Sequence, residues 1–221
     1  MQNTKWHIIL LLVCVNAFAT LCFSQNQKQN SALIEQVGSN NRSVQNQIGK
    51  NGAEIIQQNV YASVGDQKQV GNNNSAAILQ KNYNRNKAFQ RQHGWGNRAA
   101  VVQEKGGGNY AFQRQAGVSN KGGGGTLSDP VSGYSHNPVR YGAFIEQKGI
   151  LCRAIQRQVG HNNYNFILQE GSGQRAEVNQ YGSGFSHVLI QEASYRGPKY
   201  KITQIGVGGG FPRPTIIVHQ K

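Results

Sequence analysis

The chain has 221 residues, and 23 basic against 9 acidic residues give it a formal net charge of +14 at pH 7. With 28 glycines and a mean hydropathy of -0.56, it is too polar for an ordinary globular core. The charge favours anionic surroundings but does not choose among polysaccharide, lipid headgroup, nucleic acid and an acidic protein.

The N-terminal segment is typical of a secretory signal peptide. Lys5 precedes an apolar run from Ile8 to Val15, and Ser24 offers a small residue for cleavage. Asn16 interrupts a run already short of the ~20 residues of a membrane span. We therefore predict a signal peptide over residues 1–24, an exported protein and no membrane span. Two of the three cysteines fall in this segment, which leaves Cys152 without an intramolecular disulfide partner.

A periodic series of glutamines follows. They recur mostly every 11 residues, with slips of one residue and one long gap: Gln36, Gln47, Gln58, Gln69, Gln80, Gln92, Gln103, Gln115, Gln147, Gln158, Gln169, Gln180, Gln191 and, more loosely, Gln204 and Gln220. Gln57 fits as well as Gln58, and Ala53 and Ile55 favour Gln57. The surrounding pattern is small–x–apolar–x–Gln–x–Gly. Because residues two apart share one face of a strand, each unit predicts a short strand and a turn.

Two units make the true repeat. The residue two before the marked glutamine is apolar in one unit, as at Ile34, and is another glutamine in the next: Gln45, Gln67, Gln90, Gln113 and Gln156. The sequence therefore predicts an all-β, two-sheet β-solenoid of stacked 22-residue strand–turn–strand rungs, amyloid-like in its cross-β stacking. Repeats over 25–117 and 139–221 form one solenoid, and residues 118–138 form a glycine-rich loop insertion.

Stacking places each inward glutamine about 4.7–4.9 Å from its copy in the next rung. The amides can then bond along the axis, which compensates for their burial. The predicted stacking ladder comprises Gln36, Gln47, Gln69, Gln80, Gln90, Gln92, Gln103, Gln113, Gln115, Gln147, Gln156, Gln158, Gln169, Gln180 and Gln191.

This pattern resembles the curlin repeat of curli-type functional amyloid fimbriae. The family motif A-x-I-x-Q-x-G-x-x-N stands here as Ala32, Ile34, Gln36, Gly38 and Asn41. The resemblance implies an extracellular, cell-surface subunit, exported by outer-membrane secretion machinery, that polymerises with other curlin-like subunits into adhesive biofilm fibres. The basic repeats and the C-terminal segment 214–221 look more like the family's minor, nucleating subunit than its major one. The insertion, the glycines at 208–210 and Cys152 depart from the family pattern.

Outward positions carry charge. Lys68, Arg91, Arg114 and Arg157 form a like-charge stripe that either binds acidic polysaccharide, lipopolysaccharide, extracellular DNA or an acidic subunit, or is a solvated face. Lys81, Glu104, Lys148 and Glu170 alternate in sign, which favours one stacking register. Phe89, Phe112 and Ile155 are also expected to face outward.

Catalytic patterns are not recognised. The carboxylates mostly fall at outward or turn positions, the histidines lack metal-ligand spacing, and no phosphate-binding glycine motif occurs. We expect no cofactor, no metal and no enzyme activity, and an unreactive Cys152 in a turn. The leading hypothesis is an amyloid-fibre subunit or nucleator. Its rival is a monomeric β-solenoid adhesin that binds anionic polysaccharide or nucleic acid through the basic stripe.

Overall fold

The computed structural model describes residues 9–12, 25–26, 30–120, 142–193, 199–207 and 215–220, and every regular element in these ranges is a β-strand. The strands are β1 (Ile9–Leu12), β2 (Gln25–Asn26), β3 (Ser31–Ser39), β4 (Arg42–Ile48), β5 (Asn51–Tyr61), β6 (Val64–Asn72), β7 (Asn74–Lys81), β8 (Lys87–Trp95), β9 (Arg98–Gln103), β10 (Tyr110–Val118), β11 (Ala143–Ile150), β12 (Arg153–His161), β13 (Tyr164–Ser172), β14 (Arg175–Ser183), β15 (Ser186–Ala193), β16 (Lys199–Val207) and β17 (Thr215–Gln220).

The strands form two parallel sheets that confirm the predicted two-sheet β-solenoid. The nine odd-numbered strands lie in sequence order in one sheet, here sheet A, and the eight even-numbered strands form sheet B. Successive strands of a sheet therefore belong to successive rungs. The register pairs Gln36 with Gln57 and Gln57 with Gln80, so the structure selects Gln57 over Gln58. A bulge after Val37 accommodates the difference.

The rung length varies between rungs. Consecutive glutamine partners Gln57 and Gln80 lie 23 residues apart, whereas Gln147 and Gln169 lie 22 apart. The predicted rung of 22 residues is thus one residue short for the middle of the solenoid. The extra residue is taken up between strands, because the paired positions on either side keep their register.

The solenoid runs without a break past the insertion. Strand β9 pairs directly with β11, and β10 pairs directly with β12, so that Gln103 lies beside Gln147 and Gln115 beside Gln158. Most of the predicted insertion, the glycines at 208–210 and the predicted cleavage site lie outside the described residues. Strand β1 falls within the predicted signal peptide, and its backbone pairs with β3.

The inner faces of the two sheets enclose a narrow apolar layer. Sheet A contributes stacked aliphatic residues such as Ile55, Ile145 and Leu189, each fully buried, and sheet B contributes alanines such as Ala88 and Ala111. Large side chains from one sheet thus meet small ones from the other. This pairing brings the sheets close enough for glutamine amides to reach across the core.

The turns depend on residues that accept a positive φ. Asn40, Asn73 and Asn162, each between two consecutive strands, have φ between 54° and 56°. Gly117, near the end of β10, has φ 126° and stacks against the backbone of Gly160 in the next rung. A methyl group on Gly117 would overlap the Gly160 carbonyl oxygen, so two constraints act on this position at once.

Gly117→Ala is therefore expected to destabilise the fold more than Gly206→Ala. Gly206 has a similar φ of 122°, but a methyl group there meets no atom within 4 Å. Both variants carry the conformational cost, and the clash should add about 1–3 kcal/mol for Gly117→Ala alone. Urea unfolding of the two variants measures this difference. Equal losses would contradict close backbone stacking at this corner.

Candidate functional site

Three glutamine ladders run along the stacking axis. Sheet A holds the first, formed by Gln36, Gln57, Gln80, Gln103, Gln147, Gln169, Gln191 and Gln220. Sheet B holds the second, Gln45, Gln67, Gln90, Gln113 and Gln156, and the third, Gln47, Gln69, Gln92, Gln115, Gln158, Gln180 and Gln204. In every step Nε2 donates to Oε1 of the glutamine in the next rung.

The structure brings together all fifteen residues of the predicted stacking ladder and adds five more. Gln45 and Gln67 extend the second ladder toward the N-terminus, while Gln57, Gln204 and Gln220 complete the other two. The predicted set omitted these five, although each stands at its position in the glutamine period. The second ladder stops at Gln156, because the next rung places Val178 opposite it.

Most ladder amides also connect the two sheets. The second N–H of Gln113 donates to the Ala100 carbonyl in β9 at 2.9 Å, and that of Gln147 donates to the Tyr110 carbonyl in β10 at 3.1 Å. A buried amide with both N–H groups and its oxygen bonded carries little desolvation cost. The periodicity predicts the axial bonds, but the bonds between sheets depend on their separation and were not predicted.

Asparagine ladders extend this arrangement into the corners. Asn74 Nδ2 donates to Asn51 Oδ1 at 3.1 Å, and Asn97 Nδ2 donates to Asn74 Oδ1 at 3.0 Å. Each amide also bonds a glycine carbonyl, as Asn74 does with Gly94 at 2.9 Å. None of these asparagines belongs to the predicted stacking ladder. Their buried side chains in fact fix the corner of each rung against the next.

Cys152 occupies the equivalent position at the opposite corner. Its backbone N–H donates to Asn109 Oδ1 at 3.0 Å, and its Sγ donates to the Gly171 carbonyl at 3.5 Å. The side chain is 1% exposed, and burial raises the pKa of the thiol. A thiol held protonated and enclosed has little nucleophilic character. The geometry supports a packing role for Cys152.

The second ladder supplies a matched pair of variants. Gln90→Leu leaves Gln67 with an unused N–H and Gln113 with an unused oxygen. Gln113→Leu does the same to Gln90 and Gln156, and it also removes the bond to the Ala100 carbonyl of the other sheet. Gln113→Leu should therefore lower the free energy of unfolding by about 0.5–1.5 kcal/mol more than Gln90→Leu, the contribution of one further hydrogen bond. Denaturant unfolding compares the two variants. Equal losses would contradict a stabilising bond between the sheets at Gln113.

The predicted basic stripe is partly neutralised. The register stacks Lys68, Arg91, Arg114 and Arg157 on the outer face of sheet B. Arg91, however, makes a bidentate ion pair with Asp66, with N–O distances of 2.6 and 3.1 Å. Arg157 bonds Glu177 at 2.8 Å and lies over the Phe112 ring at 5.9 Å. Two of the four cations are thus already engaged within the chain.

Phe89 and Phe112 lie on this same outer face and are half-buried, as the alternation predicts. Phe89 packs against Tyr110 with 5.7 Å between ring centroids. Ile155, their counterpart in the next rung, is 9% exposed. These contacts join successive rungs outside the core. Part of the apolar surface expected on the outer face is therefore covered by contacts within the chain.

The outer face of sheet A carries only part of the predicted alternating charge series. Lys148 lies 3.4 Å from Glu170, an opposite-charge pair of that series, but the next residue in register with Glu170 is Glu192, which has the same charge.

The outer face of sheet A also carries a second apolar cluster, which was not predicted from the sequence: Ile56, Ala77, Leu79, Ala100, Val102, Phe144 and Phe166. Val102 is fully buried, and Phe144 stacks on Phe166 at 5.5 Å.

His187 is a buried titratable group between the sheets. Its Nδ1 lies 3.3 Å from Asn165 Oδ1, and its Nε2 lies 3.0 Å from the Tyr200 hydroxyl. Both contacts are to neutral groups, and burial lowers the pKa of the imidazole to about 4. The ring is therefore uncharged in the folded chain at neutral pH.

This burial predicts a pH dependence of stability. Between pH 6.5 and about 4 the unfolded chain binds a proton at His187 that the folded chain does not, so stability falls as the pH is lowered through this window. At 1.4 kcal/mol per pH unit, acidification from pH 7 to 5 should cost about 2 kcal/mol. Unfolding at both pH values should show this loss in the native chain and a smaller loss in His187→Asn. Equal losses would contradict a neutral buried imidazole.

Comparison with known proteins gave no match: no family model, no curated protein and no solved structure matches this chain. The likeness to curlin repeats rests on the residues quoted above. In the described ranges there is no helix suited to crossing a bilayer. In the same part of the chain, His, Cys, Asp and Glu form no group of three or more that could hold a metal ion.

Proposed function

We propose that this protein is an exported structural subunit or nucleator of curli-type amyloid fimbriae, and that it assembles by end-to-end stacking of copies for adhesion and biofilm matrix. The observation that carries the proposal is the common direction of the three ladders. Each glutamine donates toward the C-terminal rung and accepts from the N-terminal one. The two ends of the solenoid are therefore complementary in the first and third ladders, which reach the C-terminal strands.

The N-terminal end holds unused acceptors. Among the buried polar atoms without a partner in the described residues are Gln36 Oε1 and Gln45 Oε1, which belong to the first rung of their ladders. Strand β1 pairs with β3 on this side, with Leu12 in register with Gln36. Removal of the predicted signal peptide would leave β3 as the edge of sheet A. The buried oxygens would then be open to a donor from another chain.

The C-terminal end supplies donors for the first and third ladders. It supplies none for the second, because Val178 and Ile202 follow Gln156 in that register, so Gln45 Oε1 meets no glutamine there. Gln204 and Gln220 accept from Gln180 and Gln191 at 2.8 and 2.9 Å. Their Nε2 groups are the donors that the next rung of the same ladder would meet. A contact between this end and the N-terminal end of a second copy is heterologous and does not close, so copies can add without limit. Parallel strand pairing continues across such a joint with the same register.

The assembly proposal predicts amyloid fibres from the chain that starts at residue 25. Purified protein should raise thioflavin T fluorescence over time, and oriented samples should diffract at about 4.7 Å along the fibre and about 10 Å across it. Substoichiometric fragments of these fibres should shorten the lag phase of fresh protein. A chain that stays monomeric and gives no cross-β pattern would favour the monomeric adhesin instead.

A second prediction examines the joint itself. Gln36→Leu removes the acceptor at the N-terminal edge and should slow elongation about tenfold, as expected for one buried hydrogen bond. Gln58→Leu is the matched control, because Gln58 lies nearby but outside the ladders and bonds Glu35 at 3.0 Å. Seeded growth rates of both variants should be compared at equal fraction folded. A similar rate for the two would contradict glutamine pairing at the joint.

A further inference from the structure

Charge is divided unequally between the two sheets. The described strands of sheet B carry ten Lys or Arg residues and two carboxylates, Asp66 and Glu177, a balance of +8. Those of sheet A carry three Lys or Arg residues and five glutamates, a balance of -2. The positive charge of the chain is thus concentrated on one flat face. The predicted stripe accounts for only four of the ten cations.

A different row accounts for five of them. Each sheet B strand from β4 to β16 begins at the same register position, and these residues, here the strand-start row, are Arg42, Val64, Lys87, Tyr110, Arg153, Arg175 and Lys199. The five cations are all exposed. Six intervals of about 4.8 Å make the row about 29 Å long. It runs parallel to the stacking axis.

The strand-start row is not neutralised by the chain. Among the described residues, none of its five cations forms an ion pair with a carboxylate. Arg153 instead lies over the Tyr110 ring, 5.1 Å from its centroid. Neighbouring like charges such as Arg153 and Arg175 repel each other unless an anion lies between them. The predicted stripe, four residues further along each strand, differs because Asp66 and Glu177 already neutralise part of it.

Three cations of the row, Arg153, Arg175 and Lys199, lie on neighbouring strands of sheet B. They line a shallow open groove of about 290 Å³ together with Ile155 and Tyr200. Its carboxylate, Glu177, is held by Arg157 at 2.8 Å. The groove therefore combines free cations with apolar surface. These are the groups that contact the acidic substituents and the C–H faces of sugars.

We propose that the strand-start row is a binding track for a linear polyuronate that lies along the stacking axis of sheet B. A polyuronate carries one carboxylate on each sugar, and a sugar in an extended chain spans roughly the distance between neighbouring strands. Successive carboxylates then meet Arg153, Arg175 and Lys199 in turn. This binding needs only one folded chain, so it does not rest on the proposed fibre assembly.

The charge density of the row favours a polyuronate over nucleic acid. Five cations in about 29 Å give one charge per ~6 Å, whereas duplex DNA presents one per ~1.7 Å. Proteins that bind single strands stack successive bases on a series of aromatic rings. The strand-start row has one ring, Tyr110, and Arg153 already covers it. Neither geometry of nucleic acid matches the row.

The test measures binding of polygalacturonate to the folded chain by calorimetry, with neutral dextran and single-stranded DNA as comparison probes. The native chain should bind polygalacturonate, with affinity that falls as salt rises, and should not bind dextran. The triple variant Arg153→Gln, Arg175→Gln, Lys199→Gln should bind at least about tenfold more weakly, as three exposed ion pairs allow. Circular dichroism checks that the variant keeps its strand content.

The matched control removes the same charge elsewhere. Lys50→Gln, Arg85→Gln and Lys105→Gln together change three exposed turn cations that lie outside the strand-start row. This control should change the affinity about twofold or less. Equal weakening of both triple variants would overturn the assigned track, since it would show only the effect of net charge. Tighter binding of single-stranded DNA than of polygalacturonate would overturn the assigned ligand.

A third variant separates the row from the predicted stripe. Lys68→Gln with Arg114→Gln removes the two exposed stripe cations that have no carboxylate partner in the described part of the chain. Polygalacturonate binding should survive this change with at most a threefold loss. A loss as large as that of the strand-start triple variant would move the site to the stripe and overturn the proposal.

Discussion

Buried glutamine amides are the constraint on which this fold depends. An amide in a dry core is costly unless its donors and its acceptor are all bonded, and one rung alone cannot satisfy them. Gln103 needs Gln80 below and Gln147 above, and its second N–H needs the Lys87 carbonyl of the other sheet. The ladder therefore fixes the rung spacing, the parallel register and the distance between sheets together.

This constraint explains why so much of the architecture is readable in the sequence. A residue that must stand above its own copy repeats with the rung, so the ladder appears as a period in the chain. The choice of Gln57 followed from Ala53 and Ile55, because inward positions two and four residues earlier must match as well. The insertion does not interrupt the ladder, because Gln103 bonds directly to Gln147 on its far side.

Outward positions are less predictable, because their contacts are diagonal and cross between rungs. Arg91 bonds Asp66, which lies two positions earlier in the strand and one rung back, and no period in the sequence marks that pair. The apolar cluster on the outer face of sheet A was not predicted from the sequence for a related reason. Alternation predicts a polar outer face, yet Leu79 and Val102 occupy it as buried residues. The strand-start row could be recognised only from the pairing of the strands, because changes of one residue in the repeat length obscure its period in the sequence.

The inner faces of the sheets are restricted in residue type and the outer faces are not, and this difference has a physical cause. A change at an inward position affects the bonds of the neighbouring rungs, as the switch from Gln156 to Val178 shows by ending one ladder. Outward positions face no such requirement and can collect charge without altering the register. Because the register stacks them all the same, any residue type favoured at one outward position becomes a straight row along the axis. In a stacked fold, a repeated side chain on the outer face is therefore already a linear surface, whether one chain or many form the stack.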